Sequence, residues 1–312
     1  APPLLAMFQQ VSLVSPLANA IAIPVVSLVV VPITLLGAVV PFDGLLALAH
    51  QIMAWCMIFL AWLSELPDAV WQQHAPPAWT VAAALTGIVW MLLPKGFPAR
   101  WIGAFGLLPL FLAPPPDPPP GALWLTVLDV GQGLSVVART QRHTLLYDTG
   151  PGFTTEADSG NRIIAPFLRG EGIRRLDALV LSHDDVDHHG GTLSLLQAVP
   201  VGWMLSSLPP GQPLLAQVAR AAPCHAGQGW EWDGVRFDIL HPAMESYANP
   251  RIRDNDRSCV LRIATAGASV LLTGDIELRS EAELLARSPG EFRSTLLVAP
   301  HHGGKSSSGP AF

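Results

Sequence analysis

Leu181-Ser182-His183-Asp184-Asp185-Val186-Asp187-His188-His189-Gly190-Gly191 closes a short apolar run with a dense polar cluster. Between His183 and His188 it carries two imidazoles and three carboxylates. Desolvating so many polar groups at the end of a strand is costly unless a cation satisfies them. The competing reading is a solvated acidic loop that happens to contain histidine.

Three further stretches favour the metal. Leu271-Leu272-Thr273-Gly274-Asp275 ends an apolar run on a carboxylate. Leu297-Val298-Ala299-Pro300-His301-His302-Gly303-Gly304 ends another on histidines, and Leu145-Leu146-Tyr147-Asp148-Thr149-Gly150 ends a third on Asp148. Apolar or β-branched runs at 123–128, 135–138, 144–147, 179–181, 235–239, 259–265, 269–273 and 296–299 read as strands. Helices are expected around 162–168, 192–197, 213–221 and 277–286. Strands alternating with helices, with polar residues at strand ends, predict a layered α/β domain with its chemistry on one rim.

At this point the residues resemble the metallo-β-lactamase superfamily, whose HxHxDH motif is matched by His183, Asp185, Asp187 and His188. Asp275 matches its bridging aspartate and His301 its last histidine; Asp185 stands where most members have a second His. Together with Asp129-Val130-Gly131-Gln132-Gly133, Asn255-Asp256-Arg257-Ser258 and a preceding apolar segment, the chain resembles the ComEC-type competence proteins of DNA internalisation. The resemblance implies an αββα sandwich, with His183 and Asp185 on one metal, Asp187, His188 and His301 on the other, and Asp275 bridging. For the third ligand of the first metal the stretch offers Asn255 and Asp256, and Asp256 is preferred. Asp187, His188 and Asp275 are the catalytic candidates. Asp148 is read as fixing a histidine's orientation, and Asp129 as shaping the turn at Gly131 and Gly133. His189 and His302 are left out, because adjacent side chains point in different directions.

Two divalent ions are therefore expected. Carboxylate in place of imidazole hardens the site toward Mn²⁺ or Mg²⁺; Mn²⁺ is favoured and Zn²⁺ retained as an alternative. Two cations roughly 3.5–4 Å apart activate water and stabilise charge developing on an in-line phosphoryl group. Arg251, Arg253, Arg257, Lys305 and Ser306 are candidate phosphate contacts, with solvated loops as the competing reading. Gly304-Lys305-Ser306 is no P-loop, since the first glycine would have to stand at Ala299.

Upstream the character changes. Before Gly121 the only charged residues are Asp43, Glu65, Asp68, Lys95, Arg100 and Asp117, whereas the rest has ordinary soluble charge density. Residues 20–40, interrupted by Pro24 and Pro32, and 44–64 are long enough to span a membrane. The shorter runs 79–93 and 101–113 read as tilted spans, a re-entrant hairpin or interfacial helices. The expected organisation is a membrane-embedded helical segment at 1–112, a Pro-rich spacer at 113–121, and the α/β domain at 122–312. Lys95 and Arg100 lie in one loop, which the positive-inside tendency puts in the cytoplasm, so a spanning 101–113 would place the metal domain outside an inner membrane crossed several times. The net charge of −6 announces no bulk attraction for nucleic acid. Cys56, Cys224 and Cys259 lack metal-type spacing, and a Cys224–Cys259 disulfide is left open. The chain starts on Ala and stops soon after its histidine motif, so an excised piece lacking the closing strand and helix of the fold is expected.

The resulting expectation is a membrane protein of DNA uptake. Its partners are single-stranded DNA, the lipid bilayer and other uptake proteins, and its metal domain degrades the strand that is not imported. Alternatives are a metallo-hydrolase of another bond, such as a lactam or thioester, and a transport or DNA-binding module with a non-catalytic metal.

Overall fold

The computed structural model describes residues 2–40, 42–287, 290 and 292–312. The chain divides into two compact units, Ala1–Pro114 and Pro115–Phe312.

The first unit contains helices α1 (Pro2–Phe8), α2 (Ser15–Pro24), α3 (Val31–Val39), α4 (Asp43–Ser64), α5 (Ala78–Met91) and α6 (Leu108–Leu112). A small antiparallel ribbon pairs β1 (Gln10–Ser12) with β2 (Val70–Gln72). Helices α2 and α3 join through a π-helical turn, Val25–Val30, into a 25-residue apolar stretch; α4 has 22 residues. At 1.5 Å per residue these are about 37 and 33 Å long, enough to cross a ~30 Å hydrocarbon core. Pro24 and Pro32 flank the π turn because proline supplies no N–H and its ring crowds the preceding turn, so the helix widens there. Helix α5 has only 14 residues. The run expected at 101–113 is a 3₁₀ segment, Arg100–Leu107, followed by α6, since Gly103, Gly106 and Pro109 disfavour a continuous α-helix.

The second unit is built on two mixed sheets. The first runs in the order β3 (Trp124–Val127), β4 (Val136–Arg139), β5 (Thr144–Tyr147), β6 (Leu176–Leu181), β7 (Val201–Ser206), β8 (Ala221–Pro223). It is antiparallel from β3 to β5 and parallel from β5 to β8. The second runs β13 (Leu296–Leu297), β12 (Ser269–Leu272), β11 (Val260–Ala264), β10 (Val235–His241), β9 (Gly229–Trp232), with only the β12–β13 pair parallel. The side-chain period of two divides each strand between two cores. Val136, Leu145, Tyr147, Ala178 and Val180 meet Phe237, Ile239, Leu261, Ile263 and Leu272 between the sheets. Val137, Leu146, Leu179, Leu181 and Met204 face outward against α7 (Ala165–Gly170) and a short helix, α9 (Thr192–Ala198), that follows α8 (Val186–His189). On the outer face of the second sheet, Leu240, Val260 and Leu271 pack with Leu284 of α10 (Leu278–Arg287). Helices thus cover both outer faces of two packed sheets, the expected αββα sandwich.

Strands β7, β8 and β9 were not expected. β8 and β9 are only 3 and 4 residues long, and β7 combines Gly202 with a run too short to separate strand from helix by periodicity. The helix expected at 213–221 is a 3₁₀ turn, Pro213–Gln217, and Ala221 begins β8. Residues 115–121 belong to the second unit: Asp117 pairs with Arg139 at 3.2 Å, and the Gly121 amide donates to Asp233. Cys224 and Cys259 are bonded to each other, and Cys56 is free and buried.

Candidate metal centre

The ends of β5, β6 and β12, the start of β11 and the loop after β13 converge on one rim. Asp148, just past β5, is fully buried with φ of 58°, which turns its carboxylate back over β6. It accepts the Ser182 amide at 2.6 Å, the Ser182 hydroxyl at 2.7 Å and His188 Nδ1–H at 2.8 Å. Held at Nδ1, His188 presents Nε2 to Asp275 Oδ1 at 3.2 Å. Gly274 makes that approach possible: its φ is 53°, and a Cβ there would lie 2.8 Å from Ser258 Cβ and 2.9 Å from Ser182 Cβ. The Ser258 hydroxyl accepts the Asp275 amide at 3.0 Å.

His183 is buried, with Nε2 3.2 Å from the half-exposed Asp185. Helix α8 turns Asp187 toward the same rim, with Oδ2 4.0 Å from His188 Nε2. The sequence assigns the last histidine to His301; the structure brings His302 instead. His302 Nε2 lies 3.3 Å from His188 Nε2 and 3.4 Å from both Asp187 Oδ2 and Asp275 Oδ2. His301 turns away to Ser306 Oγ at 2.9 Å and Glu277 at 3.6 Å. Both histidines have left-handed backbones, φ 50° and 53°, a local conformation that the motif match to His301 does not encode.

The electrostatics are those of a site that holds positive charge. Burial alone would lower the His188 pKa, yet the Asp148 and Asp275 carboxylates raise it to about 10. Burial, then the neighbouring His188, holds His183 below the usual histidine range. Burial pushes Asp275 up, but its hydrogen bond and attraction to His188 prevail and lower it.

The model of the Metallo-beta-lactamase superfamily matches residues 128–311. The chain belongs to that superfamily. The model described as Competence protein matches residues 1–98. Competence protein ComA of Neisseria gonorrhoeae is 39% identical over 98% of this chain and 42% of its own length. Uncharacterized protein YcaI of Escherichia coli K12 is 33% identical over 98% of this chain and 39% of its own length. Recombination protein 2 of Haemophilus influenzae is 38% identical over 58% of this chain and 21% of its own length. The chain therefore spans about two fifths of the first two relatives.

The metallo-β-lactamase fold implies divalent metal binding, and the rim suits it. His183, His188 and Asp275 offer three ligand atoms within 4.8 Å of one another, as do Asp187, His188 and His302. Imidazole and carboxylate are the donors such cations take; with Asp185 beside His183, three carboxylates against three imidazoles leave negative charge for a cation to neutralise.

The other residues singled out in the sequence lie around this metallo-β-lactamase rim. Asp256 is buried but engaged by the Ser280 hydroxyl at 2.7 Å, and it falls in neither ligand group. Asp129 accepts the Gly131 amide at 3.2 Å, forming the turn expected there. Gly133 in that loop packs on Asp187, whose carbonyl oxygen would lie 2.2 Å from an added Cβ. Arg257 is tied to Asp254 at 3.0 Å and to the Asn249 carbonyl, Arg253 stands 3.5 Å from Glu277, and Arg251 and Lys305 are exposed. His189 turns to Asp184 at 3.3 Å, away from the cluster. Sequence reasoning missed His302 and Ser182. For Ser182 the available signal was a hydroxyl between the last strand residue and His183.

Proposed function

We propose that the second unit is a two-cation phosphodiesterase that cleaves single-stranded DNA during uptake, and that the first unit belongs to the membrane passage for that DNA. The observation that carries this reading is the convergence of His183, Asp185, Asp187, His188, Asp275 and His302 on one rim of a metallo-β-lactamase fold, behind a segment matching the Competence protein model. His183 and Asp185 would hold one cation, Asp187, His188 and His302 the other, with Asp275 between them. When bound, the cations supply Lewis acidity that lowers the pKa of water and neutralises charge on phosphoryl oxygens; the carboxylates favour an ion harder than Zn²⁺ and the imidazoles favour Mn²⁺ over Mg²⁺. Asp148 keeps the His188 proton on Nδ1, so that Nε2 offers a lone pair. Asp187, partly exposed and held through its carbonyl by the Leu134 amide, would orient attacking water.

The matches named Competence protein ComA and Recombination protein 2 support DNA as substrate, with other uptake proteins as partners. The helices Ser15–Val39 and Asp43–Ser64 support a multi-pass inner-membrane location. Lys95 and Arg100, together with the Cys224–Cys259 bond, which belongs to an oxidising compartment, support an extracytoplasmic second unit.

The test is cleavage of labelled single-stranded DNA by the detergent-solubilised chain with Mn²⁺ or with EDTA. Cleavage is expected only with the metal, and Asp187→Ala should slow it by about 100-fold or more. A folded, metal-loaded protein that leaves DNA intact would refute the reading.

A further inference from the structure

Away from the metal rim, the outer face of the second sheet carries a cavity of about 530 Å³ floored by β10 and β11 and closed on one side by the end of α10. Its charged lining is Arg236, Asp238, Arg262 and Arg287, three guanidiniums against one carboxylate. The strand register makes the imbalance specific. Asp238 is the direct cross-strand partner of Arg262, the position from which a carboxylate would neutralise it. That carboxylate is instead taken by Arg236, at 2.8 Å to Nε and 2.7 Å to Nη2. Arg262 Nε is buried and, among the described residues, has no hydrogen-bond partner. A buried donor left unpaired costs free energy unless a ligand completes it. Gln228 offers no help, since its amide is already bonded to the His225 amide and the Pro223 carbonyl.

We propose that this cavity is an anchor for backbone phosphate of a nucleic-acid strand, with Arg262 and Arg287 as the phosphate-binding residues. A guanidinium presents N–H donors in the planar fork that matches phosphate oxygens, and 530 Å³ lies within the range of nucleotide-sized sites. The geometry also relates the anchor to the metal centre. Helix α10 begins three residues after Asp275 and runs 10 residues to Arg287, about 15 Å at 1.5 Å per residue. The inference rests on the DNA reading above, but it requires no metal.

The experiment measures binding of a fluorescent oligothymidylate to the full chain in detergent, with EDTA present, across a salt series. Wild-type protein should bind, and Arg262→Ala and Arg287→Ala should each weaken binding severalfold and flatten the salt dependence of log K by about 0.7, one phosphate contact. Folding is checked by melting: inorganic phosphate should raise the melting temperature of the wild type and not of Arg262→Ala. Arg262→Ala and Arg287→Ala variants that match wild type in affinity and salt slope would overturn the proposal. So would variants that lose binding to phosphatidylglycerol vesicles while keeping DNA, which would assign the cavity to a lipid headgroup. Absence of strand binding in EDTA beside intact Mn²⁺-dependent cleavage would overturn the anchor and leave the phosphodiesterase standing. Anchored binding without cleavage would do the reverse.

Discussion

His302→Ala and His301→Ala form a paired perturbation in which the sequence motif and the folded geometry disagree. His302 Nε2 sits 3.3 Å from His188 Nε2 and 3.4 Å from Asp187 and Asp275, whereas His301 bonds Ser306 at the edge of the site. Removing a group that merely orients a ligand typically costs about 10–100-fold in metal affinity, so loss of a direct donor should exceed about 100-fold. At 1.4 kcal/mol per decade, that is more than about 2.8 kcal/mol. His301→Ala removes one part-buried hydrogen bond, about 0.5–1.5 kcal/mol of folding stability, and should change metal affinity less than about tenfold. Both residues have left-handed backbones, φ 50° and 53°, so the conformational cost of placing Ala there, about 1–2 kcal/mol, largely cancels in the comparison. Calorimetric Mn²⁺ titration of the two variants, with melting curves to confirm folding, reads the ranking directly. A larger loss for His301→Ala would refute the geometric assignment and restore the one made from the motif.

Asp148→Asn sets an amide among the donors of Ser182 and His188, and should lower Mn²⁺ affinity about 10–100-fold; an unchanged titration would show that this carboxylate does not orient His188. At Asp233, burial pushes the carboxyl up, but hydrogen bonds from Thr140, His143 and the Arg142 amide outweigh it and hold the pKa at about 2, against 3.8. A depressed carboxylate contributes stability above pH 3.8 that disappears as pH falls toward 2, so Asp233→Asn should cost about 1 kcal/mol near neutrality, after solvent screening, with the difference shrinking through that window. A wild-type-to-variant difference in melting temperature that stays constant from pH 5 to pH 3 would contradict this.

Much of the layered fold was legible because each sheet has one repeating signal. Strands β4, β5 and β6 are buried on both faces, so they read as largely apolar runs, and β5 and β6 each deliver polar residues just past their ends. The short edge strands β8 and β9 carry no such signal, being three to four residues long and half exposed or more. In the first unit, charge depletion revealed the two long apolar helices, but not the π turn between Pro24 and Pro32 or the 3₁₀ character of Arg100–Leu107.

For the metal centre, the sequence by itself determined the donor chemistry and its grouping. His183, Asp185, Asp187 and His188 stand within six residues, so one loop necessarily presents them together, and Asp275 follows its strand as directly. Which neighbour faces inward was decided only by tertiary structure. The left-handed turn at His301 and His302 selects His302, and the Ser280 hydroxyl engages Asp256 from a helix 24 residues away. Asp148 reaches His188 across 40 residues because β5 and β6 are parallel neighbours. Side-chain direction depends on backbone dihedrals and on partners distant in the chain, and neither is a property of local residue order.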